Sequence, residues 1–288
     1  MASRKRHAGP GVTILVLLLA CLAATVAQAS VTRSGGFRYV TEAFKLKPGP
    51  AKTFRAPCPK RTHVLGGGHY NTGTFDEAIG VHSYPYDGKD PRKKPDDGWA
   101  AQMRAFGEKQ RAFVYAVCAK LRPRYVRDEL TVEPDGVAHS ITVPCPAGTA
   151  PLSGGSKGRA TAREVPQSAQ PLSGWPLGLA NHGFLASTVN VFAICSAGDV
   201  HVEIGSGTSA PAGQQTRTQV DCPAEAPHVI GGTLGSGAGA TERWDTAVAA
   251  TRPIAGAFSR FGSWEGWLDN YSSGSVFVGV NAICVPPL

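Results

Sequence analysis

One phrase recurs three times along this chain: Cys-Pro, then a Gly-Gly pair, then Gly-Trp, then a run closing on Ala-Val-Cys or Ala-Ile-Cys. The first copy is Cys58-Pro59, Gly67-Gly68, Gly98-Trp99 and Ala116-Val117-Cys118. The second is Cys145-Pro146, Gly154-Gly155, Gly174-Trp175 and Ala193-Ile194-Cys195. The third is Cys222-Pro223, Gly231-Gly232, Gly266-Trp267 and Ala282-Ile283-Cys284. A unit that repeats in this way buries its apolar face against its copies, so the repeat limits the architectures open to the chain before any single residue is weighed.

The interval from a closing cysteine to the next opening one is 27 positions in both cases, Cys118 to Cys145 and Cys195 to Cys222. Counting the same distance back from Cys58 reaches Val31, so the expected units are 30–118, 119–195 and 196–288. Each opens on a strand candidate: Tyr39-Val40-Thr41, Tyr125-Val126-Arg127 and Val200-His201-Val202. A second follows a turn and leads into Cys-Pro: Lys52-Thr53-Phe54, Ser140-Ile141-Thr142-Val143 and Arg217-Thr218-Gln219-Val220.

The closing run has the clearest period. Stepping back by twos from each cysteine gives Ala116, Val114, Ala112, then Ala193, Val191, Val189, then Ala282, Val280, Val278. Alternate side chains of a strand share a face, so these point inward with the cysteine and leave Tyr115, Phe192 and Asn281 on a half-exposed face. Gly-Gly, nine and ten residues after each opening cysteine, predicts a bulge or a close backbone crossing. A Trp repeated at one place in each unit predicts a core filler, with a sugar-stacking platform as the sharper reading. Helical periodicity is nearly absent, and 35 glycines with 22 prolines indicate short strands and tight turns. The expected class is all-β.

The first residues read as a secretory signal peptide over 1–29. Arg4, Lys5 and Arg6 precede an apolar run from Val12 to Val26, and Ala27-Gln28-Ala29 supplies a small-x-small cleavage site. That run is short against the roughly 20 apolar residues a spanning helix needs, and no later segment meets that length, so no membrane span is expected in the mature chain. The expectation is secretion. The alternative is a cell-surface lipoprotein anchored through Cys21, because Leu18-Leu19-Ala20-Cys21 resembles a lipobox. Removing the signal leaves six of seven cysteines, two per unit: Cys58, Cys118, Cys145, Cys195, Cys222 and Cys284. Threefold repetition allows two symmetric pairings, within each unit or between neighbours. The first is favoured because each unit then carries its own staple, worth about 4 kcal/mol per bridge in the chain-entropy model.

Without residues 1–29 the formal charge falls from +8 to +5. That excess is modest and unclustered, so nucleic acid is not an expected partner, while anionic polymers are weakly favoured. No Cys-x-x-Cys or His-Glu-x-x-His occurs. His63, His69 and His82 are read as exposed or singly hydrogen-bonded rather than as zinc ligands, and the Asp87–Asp97 loop as solvated rather than calcium-binding. The glycine-serine runs at 205–209 and 232–239 are read as connections. No metal and no cofactor are expected.

The units differ most between Gly-Gly and Gly-Trp, where a shared scaffold carries its specificity. Unit 1 adds His69, His82 and Tyr84 there; unit 3 adds Trp264, Trp267, Asp269, Asn270 and Tyr271. Aromatic rings beside hydrogen-bonding groups suit stacking on sugars, so these eight are the candidate ligand-binding residues. No residue is assigned a catalytic role; Glu265 and Asp269 are the carboxylates a glycoside hydrolase reading would use.

The pattern carried by Cys145-Pro-Ala-Gly-Thr149, Ser83-Tyr84-Pro85 and the Ala-Val/Ile-Cys endings resembles repeats of secreted actinobacterial proteins, a family that supplies no activity. More loosely, three Cys-Pro…Cys units resemble vitelline membrane outer layer protein, which implies a β-prism of three sheets; that family's Asp-Asp-Thr motif is missing here. The expected fold is three pseudo-equivalent disulfide-stapled repeats closed as a β-prism-like threefold domain, the alternative being tandem small β domains. The expected function is a secreted, non-catalytic binding or structural module for cell-envelope or extracellular glycan. The alternative is a hydrolase of an extracellular polymer.

Overall fold

A computed structural model describes residues 29–88, 94–166, 171, 173–205, 207–236, 246–254 and 262–288. The chain is all-β, with no helix among the described residues. Unit 1 holds β1 (Ser30–Ser34), β2 (Phe37–Leu46), β3 (Lys52–Pro57), β4 (His63–Asn71), β5 (Ala78–Tyr86), β6 (Gly98–Ala105) and β7 (Gln110–Ala119). Unit 2 holds β8 (Arg124–Val132), β9 (His139–Pro144), β10 (Ala150–Lys157), β11 (Ala162–Val165), β12 (Gly174–Asn181) and β13 (Ser187–Ser196). Unit 3 holds β14 (His201–Ile204), β15 (Thr208–Ala210), β16 (Gln214–Asp221), β17 (His228–Ser236), β18 (Thr246–Ile254), β19 (Ser263–Asn270) and β20 (Val276–Val285).

Every unit builds the same pair of antiparallel sheets. In the first, the closing strand is central: β2-β7-β4, β8-β13-β10, and β14 and β15 beside β20 and β17. In the second, the Trp-bearing strand is central: β3-β6-β5, β9-β12-β11 and β16-β19-β18. The alternating residues of β7, β13 and β20 are buried as their period predicts, with Ala112, Val114, Ala116, Val189, Val191, Ala193, Val278, Val280 and Ala282 at 0–1% exposure. Their opposite face is more covered than expected, since Phe192 and Asn281 are also buried and Tyr115 is half-buried.

The disulfides are Cys58–Cys118, Cys145–Cys195 and Cys222–Cys284, with Cα–Cα distances of 5.7–5.8 Å. Each ties the end of the strand leading into Cys-Pro (β3, β9 or β16) to the closing strand (β7, β13 or β20), and so one sheet to the other. Between the sheets lies a buried tryptophan: Trp99, Trp175 and Trp264 at 1%, 3% and 0% exposure. The facing glycine is Gly67, Gly154 or Gly232, where a Cβ would overlap that indole and the carbonyl of Tyr115, Phe192 or Asn281. Only a glycine lets the ring lie flat on the strand.

This packing corrects the third copy of the repeat. Its core indole is Trp264, not Trp267, and its equivalent glycine is the second of the pair. Gly67, Gly154 and Gly232 each pair with the alanine two before the closing cysteine, Ala116, Ala193 and Ala282. The bulge expected at Gly-Gly lies just before it. Register slips between Val64 and Gly66, Pro151 and Ser153, and Val229 and Gly231, inserting Leu65, Leu152 and Ile230, all buried. The 232–239 connection is also corrected as far as Ser236, which ends β17; residues 237–239 lie outside the described residues.

The units join in two ways. β4 pairs with β18 through His69 and Thr251, which fuses the first sheet of unit 1 with the second sheet of unit 3 into the order β1-β2-β7-β4-β18-β19-β16. At the bulges the backbones of β4, β10 and β17 approach closely. A Cβ on Gly66 would meet the Ile230 carbonyl, one on Gly231 the Leu152 carbonyl, and each would lie 3.0 Å from the Ser153 Cβ. The sheets remain open.

Gly154→Ala is expected to cost about 2–3 kcal/mol, because both the indole and a strand carbonyl oppose the methyl. Denaturant unfolding measures it, and an unchanged midpoint would overturn the indole-on-glycine packing.

Candidate functional site

The fused sheet exposes one face on which unit 1 and unit 3 interleave. Along β19 the side chains alternate: Trp264, Leu268 and Asn270 go into the core, while Glu265, Trp267 and Asp269 share the opposite face, where Glu265 and Asp269 are each 0% exposed and Trp267 is half-buried. Gly266 keeps the inward phase because its Cβ would strike Leu234. The neighbouring β18 bulges at Ala249 and sets small Ala250 opposite Trp267, with Arg252 opposite Glu265. β4 and β7 bring Tyr70 beside Phe113 in register.

The result is a row of rings and cations across the strands. Arg111 lies 5.1 Å from the Phe113 ring centre. Phe113 stacks on Tyr70 at 5.7 Å, and Tyr70 meets Trp267 edge-on at 5.3 Å. Arg217 lies 6.0 Å from the Trp267 ring and Arg252 4.1 Å over Tyr70. Phe113, Tyr70 and Trp267 are all half-buried, so each ring is partly open. Beneath them Glu265 is fully enclosed. It accepts from Arg252 Nη2 at 3.0 Å and Arg252 Nε at 3.2 Å, pairs with Arg217 Nη2 at 2.8 Å, and accepts from Trp267 Nε1. Arg252 Nη1 also donates to Tyr115 Oη at 3.3 Å. Burial raises the Tyr115 hydroxyl pKa against the opposing pull of Arg252, so the phenol is protonated and neutral. Glu265 therefore works as a clamp. It fixes two guanidinium groups and one indole, and its own oxygens are spent on them.

Asp269 sits further along the same face. It accepts from Gln215 Nε2 at 2.9 Å and lies 3.5 Å from Tyr271 Oη, whose ring packs on Phe75 at 4.9 Å. Burial pushes the Asp269 carboxyl up to about 6. Asn270 is a structural residue: its Nδ2 donates to the Ala210 and Gly274 carbonyls at 2.8 and 2.9 Å while Oδ1 accepts from Ser272 N at 2.9 Å. Asn181 does the same at the end of β12, bonding the Val132 and Leu185 carbonyls. Trp264, in the core, is equally removed from ligands.

The unit 1 candidates go elsewhere. His69 and His82, expected to be exposed or singly hydrogen-bonded, are each 1% exposed, and His82 bonds through both ring nitrogens. His69 packs its ring on Gly80, with neither ring nitrogen hydrogen-bonded among the described residues, and burial lowers it to about 4. Tyr84 is also buried, stacked on Phe192 of unit 2 at 6.3 Å. Asp96, expected in a solvated loop, is 4% exposed and bonds His63 Nδ1 at 2.9 Å; residues 89–93 of that loop lie outside the described residues. Among the described residues no three His, Cys, Asp or Glu groups gather as a metal site.

No Gly-x-Ser-x-Gly elbow is expected from the sequence, and that is corrected: Gly154-Gly155-Ser156-Lys157-Gly158 spells the motif. In a nucleophile elbow that motif turns from strand to helix and exposes the serine. Here it runs straight along β10, and Ser156 is fully buried. Its Oγ donates to Glu164 Oε1 at 2.7 Å and lies 2.7 Å from His82 Nδ1, while His82 Nε2 faces the Arg159 carbonyl at 3.1 Å. The acid orients the serine rather than the histidine, which is not a triad. Glu164 Oε1 also accepts from Ser83 N at 3.1 Å and Ser156 N at 2.9 Å. The cluster thus pins β5 of unit 1 to β10 and β11 of unit 2.

Two concavities are lined chiefly by structural residues. One, of about 50 Å³, is bordered by Gly67, Gly154, Gly232, Trp99, Trp175 and Glu164, and has room for a few waters. The other, of about 140 Å³, is bordered by Phe37, Leu65, Leu121, Leu152, Ile230 and Val285, a lining suited to packing.

Burial raises the Glu164 carboxyl to about 7, against its serine and backbone hydrogen bonds. A carboxyl raised on folding stabilises fully below its ordinary value near 4.5, and that contribution is lost as pH rises through about 7. Glu164→Gln is therefore expected to gain stability relative to the parent between about pH 5 and about pH 8. Denaturant midpoints at both ends measure this; a constant difference would overturn it.

No protein-family model matches this chain, and no curated protein matches its sequence.

Proposed function

We propose that this protein is a secreted, non-catalytic binding module for extracellular or cell-envelope glycan, and that the outward face of the fused sheet is its binding surface. The observation that carries this reading is the row Phe113, Tyr70 and Trp267: three half-open rings whose neighbours lie 5.7 and 5.3 Å apart, with Glu265 holding Trp267 directly and Arg252 over Tyr70. Rings fixed in this way present apolar faces to sugar C–H groups at little entropic cost. Of the residues expected to bind ligand, Trp267 is the one this reading retains at its centre, with Asp269 and Tyr271 at its margin.

Within this reading the three units close around a pseudo-threefold axis as a β-prism-like domain. Support comes from the mutual approach of Gly66, Ser153 and Gly231, and from the single cavity bordered by Gly67, Gly154 and Gly232. The three disulfides fit an oxidising compartment, as secretion requires. No helix among the described residues is long and apolar enough to cross a membrane.

One observation favours the hydrolase reading: Asp269, raised to about 6, shares a strand face with Glu265. Against it, Glu265 is bound on both oxygens by arginine and indole donors, which leaves no free second carboxylate for the chemistry.

A glycan array probed with the disulfide-formed protein tests the proposal. Trp267→Ala is expected to lower binding at least tenfold, equivalent to about 1.4 kcal/mol, with little change in unfolding midpoint. Trp264→Ala is expected to cost about 3–5 kcal/mol of stability instead. Absence of any glycan signal would sink the reading, and release of reducing ends that disappears in Asp269→Asn would replace it with the hydrolase.

A further inference from the structure

The glycan-binding face carries an arrangement of charge that a neutral sugar does not require. Lys45 and Arg111 are directly opposed in the β2–β7 register, and both are exposed. Like charges at directly opposed positions of an antiparallel pair are destabilising, so folding alone gives no reason for two cations there. Across the row stand Arg252, set over Tyr70, and then Arg217, whose side chain is 54% exposed beside Trp267. Two acids share this face of β19: Glu265 is sealed beneath both arginines, and Asp269, two residues beyond Trp267, is fully buried and held by Gln215. From β2 to β16 the order of groups is Lys45 with Arg111, then Phe113 and Tyr70, then Arg252, then Trp267, then Arg217. Positive charge and aromatic surface alternate over five strand intervals, roughly 24 Å from the spacing between neighbouring strands. That is the length of an oligosaccharide chain rather than of one sugar.

We propose that the ligand of this face is an acidic polysaccharide built of uronic-acid residues, bound across the strands. This rests on the glycan reading above and adds the charge of the ligand to it. Each residue of such a polymer offers an apolar ring face for a Phe113, Tyr70 or Trp267 ring, and a carboxylate for a guanidinium or ammonium beside it. The carboxylate is planar and matches the fork of Arg217 and Arg111. A poly(glycerol phosphate) chain would satisfy the cations but has no rings to stack. A neutral glucan would satisfy the rings and leave the opposed Lys45 and Arg111 unrelieved.

Isothermal titration of the disulfide-formed protein against polygalacturonate, a neutral β-glucan oligosaccharide and poly(glycerol phosphate) separates these cases. Polygalacturonate is expected to bind best, with affinity falling at least tenfold from low to high salt as its counterions are retained. Lys45→Glu discriminates further. It converts a like-charge pair into an opposite-charge pair, so the unfolding midpoint should rise while affinity for polygalacturonate falls. A residue that served only the fold would raise the midpoint and leave the affinity unchanged. Arg217→Gln should weaken polygalacturonate at least tenfold and leave glucan binding unchanged. Equal, salt-independent binding of the neutral glucan would overturn the acidic ligand while leaving the glycan reading intact. Equal binding of poly(glycerol phosphate) would overturn the stacking component, and no binding of any of the three would overturn both.

Discussion

The structure depends on an indole laid flat against a glycine in each unit. Trp99, Trp175 and Trp264 fill the gap between two three-stranded sheets, and Gly67, Gly154 and Gly232 give up their side chains to admit them. The disulfide beside each indole fixes the same two sheets covalently. A sheet pair of this size buries too little surface to be stable by hydrophobic burial alone, and the staple removes unfolded-state freedom that the small core does not offset. The bulge before each glycine follows from the same contact. Inserting Leu65, Leu152 or Ile230 turns the strand so that the glycine meets the ring, and the three inserted side chains join one apolar cluster around Trp264.

Because the repeats are scaffolding, the differences between them arise at their junctions. The β4–β18 junction joins two sheets edge to edge and produces a continuous outer face. The β5–β10–β11 junction is closed by the Glu164–Ser156–His82 hydrogen bonds. The same scaffold thus yields an open, cationic, aromatic surface at one junction and a sealed polar seam at another. At the first, a buried carboxylate holds Arg252, Arg217 and Trp267 in place.

The candidate face was legible only in part. Trp267 stood out in the sequence as an aromatic beside polar groups, but Tyr70, which it meets, and Phe113, which continues the row, come from β4 and β7, about 150–200 positions away. No local pattern ties them to β19. The signal that was available was the phase of β19: Trp264 and Trp267 are three apart, so on a strand one must be in and the other out. Reading the third Gly-Trp as Gly266-Trp267 inverted that phase. His69, His82 and Tyr84 were misplaced for a related reason. They lie on strands whose second face is covered by a neighbouring unit, and a strand covered on both sides loses the alternation that marks an exposed residue.

What the sequence determined by itself is the all-β class, the inward phase of the closing strands and the presence of a bulge beside Gly-Gly, because these depend on residues within ten positions of one another. The pairing of cysteines within units follows from the same repeat, as one of two symmetric choices that the sheet geometry then decides. Only the tertiary structure decided which of the two tryptophans in unit 3 is core, which faces the units cover in one another, and which cations meet which rings. Those outcomes rest on strand pairing between distant segments, where a shift of one residue exchanges the inner for the outer face.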